Sequence, residues 1–244
     1  MNVLSIGNSF SQDAQRYLHQ IAKADGVLIN CFNLYIPGCP LSTHHKNMLS
    51  EEKAYILEMN GESTGFFVSL KEALINREWD VITIQQVSDQ APYYDTFQPY
   101  LNEVIVYVRK LAPNAKIAIH QTWAYEQGSY RLNVELGYNS YKDMLSAAVS
   151  SYKKAAKDIC ADFIIPSGEL LGALLENGIK KIHRDSFHAS LGLGRYALGL
   201  EWYHFLTGND ISKNPFNDLD EEISAEEFLI AKKCVLEISK KYVI

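Results

Sequence analysis

Short apolar runs alternate along the chain with longer stretches in which apolar residues recur every three or four positions. Residues 3–6 (VLSI) form the first such run and read as a buried strand. Ala14, Tyr17, Leu18, Ile21 and Ala22 follow at helical spacing. Residues 29–36 (INCFNLYI) predict a second strand, ended by Pro37-Gly38. Residues 41–77 are the least regular stretch. Within it, YILEMNGESTGFF predicts a hairpin turning at Asn60-Gly61, because both central positions of that turn need a positive φ, and SLKEALINREW predicts a short helix. Trp79-Asp80 leads into VITIQQ, a third strand. Residues 100–111 are expected as a helix closed by Ala112-Pro113-Asn114, and KIAIHQTWAY as a fourth strand entering a polar, aromatic loop. A long helix over 140–159 presents Tyr141, Leu145, Ala148, Tyr152, Ala155 and Ala156 on one face. DFIIPS predicts a fifth strand. Helices are expected over 170–175, over 191–206 with Gly208 beyond it, and over 225–242.

Strands alternating with helices imply βαβ units and a parallel sheet covered on both faces. The fold class is therefore α/β, a three-layer sandwich of about five strands. One domain over 1–244 is expected, with 41–77 as an insertion or lid region. Sites in such sheets lie at the carboxyl ends of the strands. The informative residues are then Asn8-Ser9, Gly38, Gln85-Gln86 and the stretch from His120 to Tyr125.

The composition narrows the function classes. The 244 residues are 47% hydrophobic and 21% charged, with a net charge of -6, an ordinary balance for a globular chain and a poor one for bulk electrostatic binding of nucleic acid. Cys31, Cys39, Cys160 and Cys234 form no C-x-x-C pair, which argues against a zinc ribbon or dithiol site; they are expected to be reduced and mostly buried. No basic segment followed by an apolar one opens the chain, and no apolar run approaches the ~20 residues of a membrane span. A cytoplasmic location without membrane association is expected, unless a leader has been removed.

Ser9 stands between the first strand and the first helix, where unpaired N–H groups favour a developing oxyanion. By itself it reads first as a helix cap, although Ser11 and Asp13 also cap well. A serine nucleophile needs a base, and the base needs an orienter. The candidate pair is Asp185 and His188 in HRDSFHASLGLGRY, three residues apart before a helix; it reads also as a capping aspartate beside a surface histidine.

Together, IGNSFS after the first strand and DSFH before the 191–206 helix resemble the SGNH (GDSL-type) hydrolase superfamily in both blocks and in their order. The likeness is greatest to a bacterial branch with GNSFS, WD-x-ITIQQ-x-S, TWAY and DSFHAS…GRY. The resemblance implies a flavodoxin-like fold, Ser9 as nucleophile, His188 as general base and acid, Asp185 as orienter, and the N–H groups of Ser9 and Gly38 in an oxyanion hole. The superfamily's Gly-x-Asn-Asp block is replaced by IQQVSDQ. A glutamine amide offers the missing asparagine's donor on a longer stem, so Gln86, or Gln85 beside it, is the expected substitute. Asp89 stands near the asparagine's place by count, but a carboxylate there would repel an oxyanion.

His44, Gln85, Trp123 and Tyr125 are expected to line a substrate cleft, with Trp123 read also as a core-edge residue. Adjacent His44 and His45 lack further ligands at metal spacing, so no metal and no cofactor are expected. Tyr196, Trp202 and Tyr203 read as packing. The function expected is a serine esterase acting on a small acyl ester, with an acetyl ester on a carbohydrate as its partner. The alternatives are a non-catalytic carbohydrate- or ligand-binding module on the same fold and a flavin or phosphate binder.

Overall fold

The computed structural model describes residues 1–242. Its strands are β1 (Asn2–Gly7), β2 (Asn30–Tyr35), β3 (Tyr55–Met59), β4 (Glu62–Val68), β5 (Val81–Ile84), β6 (Lys116–His120) and β7 (Phe163–Ile165). They form one sheet of seven strands in the order β4-β3-β2-β1-β5-β6-β7. The run β2-β1-β5-β6-β7 is parallel, and β3 and β4 join it antiparallel through β2. The parallel part has the flavodoxin-like order, whose switch point lies beside β1.

The five parallel strands expected are present, and the hairpin brings the sheet to seven. The residues 55–68 do turn at Asn60-Gly61, both with positive φ (53° and 84°), but the hairpin pairs with β2 and lengthens the sheet. The rest of 41–77 forms helices α3 (Leu41–Ser50) and α4 (Leu70–Ile75).

Helices α1 (Ser9–Gln15), α2 (Leu18–Ala24), α7 (Ser167–Glu176), α8 (Leu193–Thr207) and α9 (Ala225–Ser239) cover one face. With α3 and α4, α5 (Tyr100–Leu111) and α6 (Tyr141–Asp158) cover the other. Strand alternation separates the two cores: Val3 joins the first, and Leu4 and Ile6 join the second. The helical spacing of Ala14, Tyr17, Leu18, Ile21 and Ala22 runs across a break at Arg16–Tyr17 that separates α1 from α2.

α1 packs over β1 and β2. A Cβ at Gly7 would sit 2.1 Å from Ser11 Oγ, so a side chain there would displace the hydroxyl that accepts the Asn8 N–H at the start of α1. Buried polar groups fill the layer beneath it. Ser5 and Thr83 share a hydroxyl hydrogen bond of 2.7 Å, and Gln15 Nε2 donates to Ser5 Oγ at 2.6 Å.

α8 is nearly all buried and carries Glu201, whose Oε2 accepts from Ser167 Oγ at 2.6 Å. Burial pushes this carboxyl up to about 8. The folded value lies above the ordinary one, so the stability is full below about pH 4.5 and declines as pH rises towards 8. Glu201→Gln keeps the acceptor for Ser167 and removes the charge. It should stabilise the protein by roughly 1–3 kcal/mol near pH 8 and little near pH 4.5, which denaturant melts at the two pH values will measure. An equal effect at both would contradict the assignment.

Candidate active site

Asn8 caps α1. Its Oδ1 accepts the Phe10 N–H at 3.0 Å, and Ser11 Oγ accepts the Asn8 N–H at 3.0 Å. The cap role anticipated for Ser9, or for Ser11 or Asp13 in its stead, thus belongs to Asn8, with Ser11 completing the capping box. Ser9 occupies the first helical position with its side chain free to face the cleft.

Ser9 Oγ lies 2.9 Å from His188 Nε2, and His188 Nδ1 lies 2.8 Å from Asp185 Oδ2. Three residues separated by up to 179 positions therefore form one hydrogen-bonded line. Asp185 Oδ1 also accepts the N–H groups of Phe187 (2.9 Å) and His188 (2.7 Å), so the D-x-x-H spacing closes into a tight turn. Burial alone would raise the Asp185 carboxyl. The backbone N–H groups of His188 and Phe187 and the His188 ring outweigh it and hold it near 2.

The loop bearing this pair is fastened to the rest of the fold. Trp123 Nε1 donates to Phe187 O at 2.7 Å, and Glu126 N to Ser186 O at 2.8 Å. The fully buried Asp13, one turn beyond Ser9 on α1, accepts from Arg184, Arg195 and the Ala189 N–H.

A cleft of about 280 Å³ opens over Ser9 and His188, lined also by Asn8, Tyr35, Gly38, Ser88, Asp89, Tyr125, Arg131 and Phe187. Gly38 has φ +58° in the turn after β2. Among the described residues, neither its N–H nor that of Ser9 has a hydrogen-bond acceptor. Both are available to a ligand.

Several expectations about the site are corrected. Gln86 faces inward: its Oε1 accepts from Leu41 N and Val87 N, and its Nε2 donates to Thr96. Pro40, the N-cap of α3, offers no side-chain acceptor, and the Gln86 amide takes that place. Gln85 is also buried, donating to Asn8 Oδ1 and bonded to His120. His44 is enclosed between Tyr55 and Cys39, and burial lowers its imidazole to about 3. Trp123 is buried, stacked on Phe10 with centroids 4.1 Å apart. It supports the Phe187 loop and does not line the cleft. Tyr125 does line it.

Sequence reasoning missed Tyr35, Ser88, Arg131 and Phe187, and it marked Asn8 only by its place after β1. Phe187 adjoins a residue already singled out, and Ser88 follows β5. Arg131 lies in a helical turn with no motif, its guanidinium 4.1 Å from the centre of the Phe187 ring.

Among the described residues no helix is long and apolar enough to cross a membrane. No curated protein matches the chain. A family model described as a domain of unknown function, DUF4886, matches residues 2–237. A DUF4886 family protein from Bacteroides uniformis is 31% identical, with 97% of this chain and 93% of that chain covered at a TM-score of 0.88. Two more distant structures share the fold. A protein assigned to the SGNH hydrolases from Slackia heliotrinireducens is 20% identical, with a TM-score of 0.59 over 84% of this chain and 98% of its own. Axe2, an acetylxylan esterase from Geobacillus stearothermophilus, is 13% identical, with a TM-score of 0.56 over 84% and 94%. The fold is thus that of the SGNH esterases and lipases, and the chain belongs to the DUF4886 family.

Proposed function

We propose that the protein is a serine esterase of SGNH type that hydrolyses a small acyl ester through an acyl-enzyme. The observation that carries this reading is the Ser9–His188–Asp185 line at 2.9 and 2.8 Å, at the floor of a cleft with two free backbone N–H groups. Ser9 Oγ attacks the ester carbonyl while its proton passes to His188 Nε2. The ionised Asp185 holds Nδ1–H and stabilises the imidazolium. The carbonyl oxygen gains negative charge against the N–H groups of Ser9 and Gly38. Collapse expels the alcohol, which takes the proton from His188. Water, deprotonated by His188, then attacks the acyl-enzyme, and the acid leaves as Ser9 recovers its proton.

The asparagine donor of the resembling superfamily has no counterpart in Gln85 or Gln86. Ser88 Oγ and Tyr125 Oη are hydrogen-bonded to each other at 2.9 Å on the cleft wall. Two hydroxyls carry two O–H donors and spend one on each other, so one remains for a bound ligand. The small volume favours a short acyl group such as acetyl. Polar groups of Tyr35, Asp89 and Arg131 around it favour a hydroxylated, carbohydrate-like alcohol over a lipid. The fold is shared with an acetylxylan esterase, which agrees with that choice.

A fluorophosphonate probe tests the reading. It should label the folded protein at Ser9 alone, as read by peptide mass, and labelling should disappear in His188→Ala. An unlabelled protein that binds acetylated oligosaccharides without hydrolysing them would be a binding module instead.

A further inference from the structure

We infer that Gln85 and His120 are positioning residues that hold the two oxyanion-hole loops together through Asn8. The catalytic half of this inference rests on the esterase reading. The hydrogen-bond half does not.

The chain of contacts is fully buried. Asn8 Oδ1 accepts from the Phe10 backbone N–H at 3.0 Å, and Asn8 Nδ2 donates to the Cys39 carbonyl at 3.3 Å. A backbone N–H only donates and a carbonyl only accepts, so these two partners set which way the Asn8 amide faces. Gln85 approaches Asn8 Oδ1 at 2.8 Å and must present its Nε2 there. Its Oε1 then faces His120 Nδ1 at 2.6 Å. An oxygen at that place requires a proton on Nδ1. Burial lowers the His120 imidazole to about 3, so the ring is neutral and carries that one proton. The polarity is consistent throughout: His120 donates to Gln85, Gln85 to Asn8, and Asn8 to Cys39.

Asn8 is the residue before Ser9, and Cys39 is the residue after Gly38. Cys39 also closes the turn that carries Gly38, its N–H donating to Ile36 O at 3.3 Å. The Asn8 side chain therefore ties the loop holding one free N–H to the loop holding the other. Gln85 and His120, at the ends of β5 and β6, anchor that tie to the sheet. The glutamine after β5 thus serves the oxyanion hole from behind: it fixes the donors and is not one of them.

Two measurements test this. In the unliganded protein, nitrogen-15 histidine spectra should show one ring, missing from His120→Asn, with Nδ1 protonated and Nε2 bare, unchanged from about pH 5 to pH 8. An Nε2–H tautomer, or titration in that range, would overturn the polarity of the chain whatever the protein hydrolyses. On an aryl acetate, Gln85→Glu should lower kcat by about 10- to 100-fold with KM within about two-fold, as much as Gln85→Leu does. The carboxylate keeps the acceptor for His120 but cannot donate to Asn8. His120→Asn, whose amide nitrogen falls near the place of Nδ1, should keep most of the parental kcat, and His120→Phe should not. A parental kcat in Gln85→Glu, or a rise in KM alone, would overturn the positioning role. If the parent neither hydrolyses esters nor labels at Ser9, the esterase reading and the catalytic half fail together, and the tautomer still decides the hydrogen-bond half.

Discussion

Ser9→Ala should lower kcat/KM on an aryl acetate by about 10⁴-fold or more while leaving the melting temperature within about 1 °C. The second half of this expectation separates the two roles that a serine between strand and helix can have. A capping serine holds an N–H at the helix start, and its loss costs about 1 kcal/mol. Here that work is done by Asn8 Oδ1, with Ser11 Oγ returning the favour to the Asn8 N–H. Among the described residues Ser9 Oγ has one partner, His188 Nε2. Removing it deletes the proposed nucleophile and leaves the cap, the sheet contacts and the cleft wall in place. The variant should therefore keep its affinity for the ester while losing turnover. Asn8→Ala should differ: it should destabilise the fold by about 1 kcal/mol and also lower activity, because the same amide holds Cys39. Rapid hydrolysis by purified Ser9→Ala would place the chemistry elsewhere.

The α/β alternation was legible because most strands of the parallel sheet are short apolar runs with periodic helices between them. Helix 100–111 and strands 81–84 and 116–120 fall where the pattern puts them. The hairpin was legible through Asn60-Gly61, but its place in the sheet was not. β4 is an edge strand with most of its residues exposed, including Phe66 and Phe67, so no alternation marks an inner face. The helix break at Arg16–Tyr17 was hidden because α1 and α2 bury residues in one continuous periodicity across it.

The site divided along a similar line. Ser9, Asp185 and His188 could be read together because a strand end marks the first, a short local spacing marks the other two, and the resemblance to the SGNH blocks joins them. The amides could not. Position after a strand tells which end of the sheet a side chain occupies, and says nothing of whether it faces the cleft or turns under a neighbouring helix. Gln86 turns towards α3 because Pro40 leaves that helix uncapped, and Gln85 turns towards Asn8. His44 and Trp123 are drawn inward by packing against Tyr55 and Phe10. Each loss of an expected ligand residue is a gain in rigidity behind the cleft.

Asp13→Ala should destabilise the protein by about 2–4 kcal/mol and lower its melting temperature by roughly 5–15 °C. The carboxylate is wholly buried (0% exposed) and accepts four hydrogen bonds: two from Arg184 Nη1 at 2.8 and 2.9 Å, one from Arg195 Nε at 2.9 Å and one from Ala189 N at 3.1 Å. Its removal leaves two guanidinium groups facing an apolar hole. Their side chains remain 25% and 13% exposed, which lets water recover part of the loss and sets the figure below that for a fully enclosed pair. Arg195 keeps Asp220 at 2.9 Å, so Arg184 carries most of the penalty. The functional effect follows from where these contacts lie. Asp13 is on the helix that starts with Ser9, and Arg184 and Ala189 bracket Asp185 and His188. The carboxylate therefore ties Ser9's helix to the His188 loop, beside the contacts of Trp123 and Glu126. Even well below its melting temperature, the variant should lose kcat by about ten-fold or more, and Asp13→Asn, which keeps the size and part of the bonding, should fall between it and the parent. Thermal melts and kinetics at low temperature read the two effects separately. If the melting temperature drops while kcat at low temperature stays parental, the His188 loop is held by Trp123 and Glu126 alone, and Asp13 is a stability residue only.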